Sequence, residues 1–186
     1  MSADTGPCDE QTDSKPEKMT CLYGNQLTGK DNPVIAFRGK LDKLCAMILE
    51  AQLLGEEKQN RAFVDDLQEI LDFTRSLLSA EYQCTPLGDF RLLGLSPEDL
   101  RERSHHPEKY FGCGHLLMHH SMGALCLRLN LLRTVVRETE LAAVAALRDS
   151  NDLGEPVKNC RKDMVKALNR LSSLLYILIY KYLPGD

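Results

Sequence analysis

Four apolar stripes at helical spacing run along this 186-residue chain, and no stretch alternates apolar with polar residues as a half-buried strand does. The first is Val34, Phe37, Leu41, Leu44, Cys45 and Ile48, with Asn32 placed to cap it, Pro33 at the first helical position and Gly55 suited to stop it. The second is Phe63, Leu67, Ile70, Leu71, Leu77 and Leu78, halted by the Pro and Gly of Cys84–Gly88, so the pair is expected to form a helical hairpin. Ser96-Pro97-Glu98-Asp99 resembles a capping box and opens a short helix that ends near His106-Pro107. After an irregular stretch, Pro107–Gly114, a long helix is expected from about His119 to Arg148. The last, from about Asn159 to Tyr182, buries Met164, Leu168, Leu171, Leu175, Leu178 and Tyr182. The fold class that follows is all-α: an antiparallel bundle of four long helices plus a short one. It occupies residues 20–186 as a single domain, behind a polar leader, residues 1–19, that is expected to be disordered.

Charge and cysteine usage narrow what such a bundle can do. Lys and Arg number 23 against 27 Asp and Glu, a net charge of −4, which lacks the dense positive face that nucleic-acid binding needs. Seven cysteines without a CxxC pair fit reduced thiols and a cytoplasmic location. The leader has neither the basic nor the apolar segment of a signal peptide. The most apolar stretch, Leu171–Leu183, is broken by Ser172, Ser173 and Lys181 and is too short to span a membrane. No nucleic-acid or membrane partner is expected.

Several polar groups interrupt the apolar pattern. Arg133, Arg137 and Glu140 share one face of the third long helix, and two arginines a turn apart repel unless an anion lies between them. A phosphate-bearing ligand satisfies such a pair; the alternative is a solvated face with Arg137 paired to nearby glutamates. Asn169 and Arg170 break the last helix, and the amide takes its hydrogen bonds either from a ligand or across the bundle. Asp42 follows Arg38 by one turn, the spacing of a simple helical ion pair, or else serves an arginine elsewhere. Ahead of the first helix, Gly24 to Lys30 reads GxxxxGK, but Asp31 replaces the Ser or Thr of a Walker A motif and no strand pattern accompanies it. A P-loop fold is therefore excluded, although such a segment before a helix still suits phosphate. All five histidines fall between His105 and His120; His115 and His119, four apart on an expected helix face and near Cys113, are weak candidates for a metal. Glu102-x-x-His105 matches one half of a di-iron site, but no second copy exists.

Taken together, Pro33–Asp42 (PVIAFRGKLD), Gly94–Tyr110 (GLSPEDLRERSHHPEKY), Asn130–Glu140 (NLLRTVVRETE) and Lys166–Leu178 (KALNRLSSLLYIL) resemble the ethanolamine-utilization type of corrinoid adenosyltransferase, over roughly Thr20 to Tyr182 and in that family's order. Thr20, Gly24, Lys30, Asp31, Gly39 and Asp42 also match the nucleotide-binding segment of the related propanediol-utilization type. The resemblance implies transfer of the 5′-deoxyadenosyl group of ATP, with Mg²⁺, onto the Co(I) of a corrinoid such as cobalamin, releasing triphosphate. It implies that Lys30, Arg137 and Asn169 contact ATP, helped by Thr20, Gly24, Asp31 and Glu140, and that Asp42 holds Arg133 across a subunit interface. Co(I) is itself a strong nucleophile, so no general base or catalytic thiol is required. Tyr110 and Phe111 are the candidates to displace the lower axial ligand of the corrinoid.

In one respect the chain departs from that type, whose members carry an N-terminal histidine and a Cys-Cys-x-x-Cys cluster for a divalent metal. Here the leader has only Cys8 and Cys21, and no histidine precedes His105, so either no such metal is used or Cys113, His115 and His119 supply another site. A homo-oligomer is implied, a trimer before a dimer, with an electron donor such as a flavoprotein and a cytoplasmic or microcompartment setting. The competing reading is a non-catalytic corrinoid or nucleotide carrier, which needs no triphosphate cradle.

Overall fold

The computed structural model describes residues 16–23, 26–148 and 155–184. Four long helices dominate: α1 (Pro33–Glu57), α2 (Arg61–Gln83), α5 (Gly123–Arg148) and α6 (Glu155–Lys181). Two short ones, α3 (Pro97–His105) and α4 (Pro107–Phe111), lie in the long α2–α5 connection, and a 3-10 turn, His120–Met122, leads into α5. The bundle is a ring in which α1 packs on α2 and α5, α6 packs on α5 and α2, and α3 lies against α6. Its core is drawn from all four long helices, with Phe37, Leu41, Phe63, Leu67, Leu129, Leu132, Leu171 and Leu175 fully enclosed. The all-α bundle is therefore as expected. Among the described residues no helix is long and apolar enough to cross a membrane.

Local chemistry sets the helix ends. Asn32 accepts from the Val34 amide at 2.8 Å with Pro33 behind it, and Asn60 accepts from the Phe63 amide at 3.0 Å to start α2. Ser96 and Asp99 complete the capping box of α3 reciprocally. Gly55 is not the stop of α1, which continues to Glu57 and turns through Gln59 at φ 53°. A Cβ on Gly55 would sit 2.8 Å from both Phe63 Cδ1 and Val64 Cγ2, so this glycine lets α1 and α2 cross closely.

Three other expectations are corrected. A two-stranded antiparallel hairpin, β1 (Met19–Cys21) with β2 (Leu27–Gly29), precedes α1 where no strand was expected, pairing Met19 with Gly29 and Thr20 with Thr28. The stretch Pro107–Gly114 is helical as far as Phe111 before Gly112 turns it at φ 73°. The third long helix starts at Gly123 rather than His119, because His119 caps the 3-10 turn instead. Residues 1–15 of the expected leader lie outside the described residues, and Met19 already belongs to β1.

Candidate functional site

The helix registers fix which side chains share a level. Lys40–Glu138 at 3.0 Å and Arg128–Glu50 at 2.8 Å obey one antiparallel register of α1 on α5, which puts Asp42 level with Val136. Asn169 Nδ2 donates to Glu140 Oε1 at 3.0 Å, and the Arg133 guanidinium lies 5.8 Å from the centre of the Tyr176 ring. These two contacts likewise share one register of α5 on α6. The Glu140–Asn169 level and the Arg133–Tyr176 level are thus seven residues of α5 apart, about 10 Å along its axis.

On this α5–α6 face the polar residues are ordered but incompletely neutralised. Asn169 takes the cross-bundle option, and its Oδ1 accepts from Arg170 Nη1 at 2.7 Å, while Arg170 Nε is buried without a hydrogen-bond partner. Arg133 is partly buried and donates from Nε to Asn130 Oδ1 at 3.3 Å. Burial, and next the like charge of Arg137, hold the Arg133 guanidinium below its ordinary value. Among the described residues neither Arg133 nor Arg137 has a carboxylate within ion-pair distance. Arg137 is exposed and does not pair with nearby glutamates: Glu138 goes to Lys40 and Glu140 to Asn169.

Arg38 and Asp42 do not pair. Arg38 turns instead to Glu81 of α2, and its guanidinium lies between the rings of Tyr23 and Tyr82, at 5.2 and 5.1 Å from their centres. Asp42 stays exposed on α1, without an ion pair among the described residues, so the chain does not join it to Arg133. Lys30 and Asp31 are exposed where β2 passes into α1 and, with Lys18, Met19 and Gly29, line a cleft of about 460 Å³. Thr20 lies within β1 of the same hairpin, and Gly24 lies outside the described residues. A larger cleft, about 870 Å³, reaches Lys166 on α6, one turn before Asn169, between Asp89, Arg91 and Glu98.

At the Arg133 end of this face sits the loop after α4. Phe111 stacks on Tyr180 with ring centres 4.6 Å apart and planes at 13°, whereas Tyr110 is exposed beside Lys109 and Arg103. His115 and His119 lie in the irregular segment ahead of the 3-10 turn, not on one helix face. His115 Nδ1 meets the Tyr176 hydroxyl at 3.1 Å, and His119 Nδ1 accepts from the Ser121 amide. Among the described residues no three His, Cys, Asp or Glu side chains gather as a metal site requires, and Cys113 is exposed. Tyr176 and Tyr180 are the residues that sequence reasoning passed over. Their signal is four-residue spacing on an apolar helix, where a phenol hydroxyl must find a partner.

The chain can now be set beside known proteins. It is 34% identical over 173 residues to the corrinoid adenosyltransferase EutT of Escherichia coli K12, covering 92% of this chain and 61% of that protein. To the EutT of Salmonella typhimurium LT2 it is 33% identical over 186 positions, covering 96% and 66% respectively. The chain thus spans a little under two thirds of the length of these relatives. The family model for cobalamin adenosyltransferase matches residues 11–182, nearly the whole chain, and with the helical bundle and the ordered α5–α6 stripe this makes the chain a member of the cobalamin adenosyltransferase family.

Proposed function

We propose that this chain is an ATP:corrinoid adenosyltransferase, moving the 5′-deoxyadenosyl group of ATP to the cobalt of a reduced corrinoid. The observation that carries the reading is the Arg133–Arg137 pair, two cations one turn apart with no carboxylate of their own among the described residues. A polyphosphate relieves their repulsion and engages guanidinium forks bidentately. Asn169 and Glu140, already held to each other, offer oriented polar groups that need little rearrangement when a nucleotide arrives. Lys30, with Thr20, Gly24 and Asp31 of the sequence ahead of α1, supplies the remaining ATP contacts. Asp31 and Glu140 stand about seven residues apart in the α1–α5 register, so within one chain only one of these carboxylates would hold the Mg²⁺ that screens the phosphate charge.

The axial spread supports a division of labour. Phosphate lies along Arg137 and Arg133, with the Glu140–Asn169 pair at its far end, and C5′ lies at the loop end, past the Arg133–Tyr176 level and under the loop bearing Tyr110 and Phe111. In the transfer, cobalt(I) gives its electron pair to C5′, the C5′–O bond breaks, and triphosphate departs with the bonding pair. The side chains align the reactants and steady the leaving anion. The exposed Asp42, without an ion pair among the described residues, fits a role on Arg133 of a neighbouring subunit in a homo-oligomer, a trimer before a dimer. A flavoprotein or similar donor supplies the electron for Co(II), in the cytoplasm or a microcompartment.

The test is an anaerobic spectral assay of the purified chain with cob(I)alamin, ATP and Mg²⁺. Loss of Co(I) absorbance with light-sensitive adenosylcobalamin formed beyond one turnover per site is expected. Binding of both substrates without product would overturn the enzyme in favour of a carrier.

A further inference from the structure

Between the arginine pair and the Phe111 loop stand two tyrosines that the proposed chemistry leaves unused. The Tyr176 hydroxyl is a junction: His115 Nδ1 lies 3.1 Å away, the Leu116 amide donates to it at 3.1 Å, and the Tyr180 hydroxyl is 2.8 Å away. Tyr180 in turn donates to the Gly114 carbonyl at 2.9 Å while its ring carries Phe111. Proton counting leaves one arrangement. Tyr180 has a single proton, which goes to Gly114, so Tyr176 must donate to Tyr180. The Tyr176 oxygen then accepts from both Leu116 and His115, which places a proton on His115 Nδ1. Both phenol hydroxyls donate and accept, and the outer partners, Gly114, His115 and Leu116, lie on one loop.

We propose that Tyr176 and Tyr180 are positioning residues that hold Phe111–Leu116 at a set height over Arg133, so that the corrinoid side of the site is built before substrate arrives. For its substrate this rests on the adenosyltransferase reading; the latch itself does not. Phe111 receives its place through the Tyr180 ring, and Arg133 shares Tyr176 with the loop, so the two tyrosines tie the apolar and cationic halves of the site to one helix.

The experiment uses the full chain with Tyr176→Phe and Tyr180→Phe, each keeping its ring. Amide hydrogen exchange without ligand reads the latch. Tyr176→Phe is expected to speed exchange at Leu116 about tenfold, leaving α1 and α2 unchanged, and Tyr180→Phe to do less, because the Leu116–Tyr176 bond survives. Steady-state kinetics read its purpose. For Tyr176→Phe the KM for cob(I)alamin should rise about fivefold or more, with the KM for ATP within about twofold of the wild-type value. Unchanged exchange at Leu116, acceleration spread evenly through the bundle, or a parallel rise of both KM values would overturn the proposal. A wild-type chain that makes no adenosylcobalamin refutes the transferase reading alone, since the exchange result still decides the latch.

Discussion

Arg38 on α1 and Arg133 on α5 are both partly withdrawn from water, yet their surroundings are opposite. Around Arg38 the charge is met, although its Nη2 is buried without a hydrogen-bond partner: Glu81, with a side chain only 1% exposed, takes the charge, two tyrosine rings lie against the guanidinium, and Tyr23 donates to the other Glu81 oxygen at 2.8 Å. Around Arg133 there is an amide oxygen, a ring and a second arginine, but among the described residues no acid within ion-pair distance. Both arrangements cost desolvation. Among the described residues only the first pairs its charge with a carboxylate, so the α1–α2 corner is architecture, and the α5–α6 face is the one proposed to take an anion.

The sharpest way to break this comparison is Arg38→Met. It strands a buried carboxylate, and the expected loss is about 3–5 kcal/mol, a fall in Tm of roughly 10 °C by thermal denaturation. Adding Glu81→Leu should recover most of that, and a single variant as stable as the wild type would show that the pair is not structural. Arg137→Ala is expected to act in the other currency: about a 100-fold loss of kcat/KM for ATP with corrinoid binding kept and Tm unchanged or slightly raised, since a repulsion on Arg133 is removed. Equal losses toward both substrates would sink the phosphate role. Phe111→Ala should slow turnover from Co(II) under a weak reductant by about tenfold or less, with activity retained on pre-reduced Co(I). Unchanged rates in both assays would leave its stacking on Tyr180 as packing alone.

What was legible in the sequence divides along similar lines. The caps at Asn32 and Ser96 are local, made by side chains on amides two or three residues away, and the apolar stripes of the long helices are local periodicities. Gly55 shows the limit of such reading. A glycine that ends a helix and one that admits a crossing helix look alike until Phe63 and Val64 are seen beside it. The β1–β2 hairpin escaped because strands of three residues are too short to show alternation. In the site, the stripe Arg133, Arg137, Glu140 and Asn169 is visible from spacing and family resemblance. The diversion of Arg38 to Glu81 and the seating of the Phe111 loop on Tyr176 and Tyr180 depend on contacts between distant segments, which no single-helix pattern encodes.

The smallest expected effect tests whether a charge paired within the chain at the surface behaves as the Arg38–Glu81 pair does. Asp99 accepts from the Ser96 hydroxyl at 2.6 Å and from the Ser96 amide at 3.0 Å, and these bonds, the hydroxyl first, hold its carboxyl below the ordinary value. A folded-state pKa below the unfolded one means that the folded chain binds this proton less readily. The stabilisation is therefore present above the unfolded value and is lost as pH falls through the folded one. Ser96→Ala removes the leading bond together with the cap on the Asp99 amide, and should lower Tm by about 2–4 °C at neutral pH. The gap to wild type should narrow as the solution is made acid enough to protonate Asp99 in both proteins. Because Ser96 also caps through its oxygen, some gap must persist at low pH. A gap wholly independent of pH would assign the effect to the cap alone and remove the carboxylate from the account, whereas a gap that closes completely would assign it all to the charge.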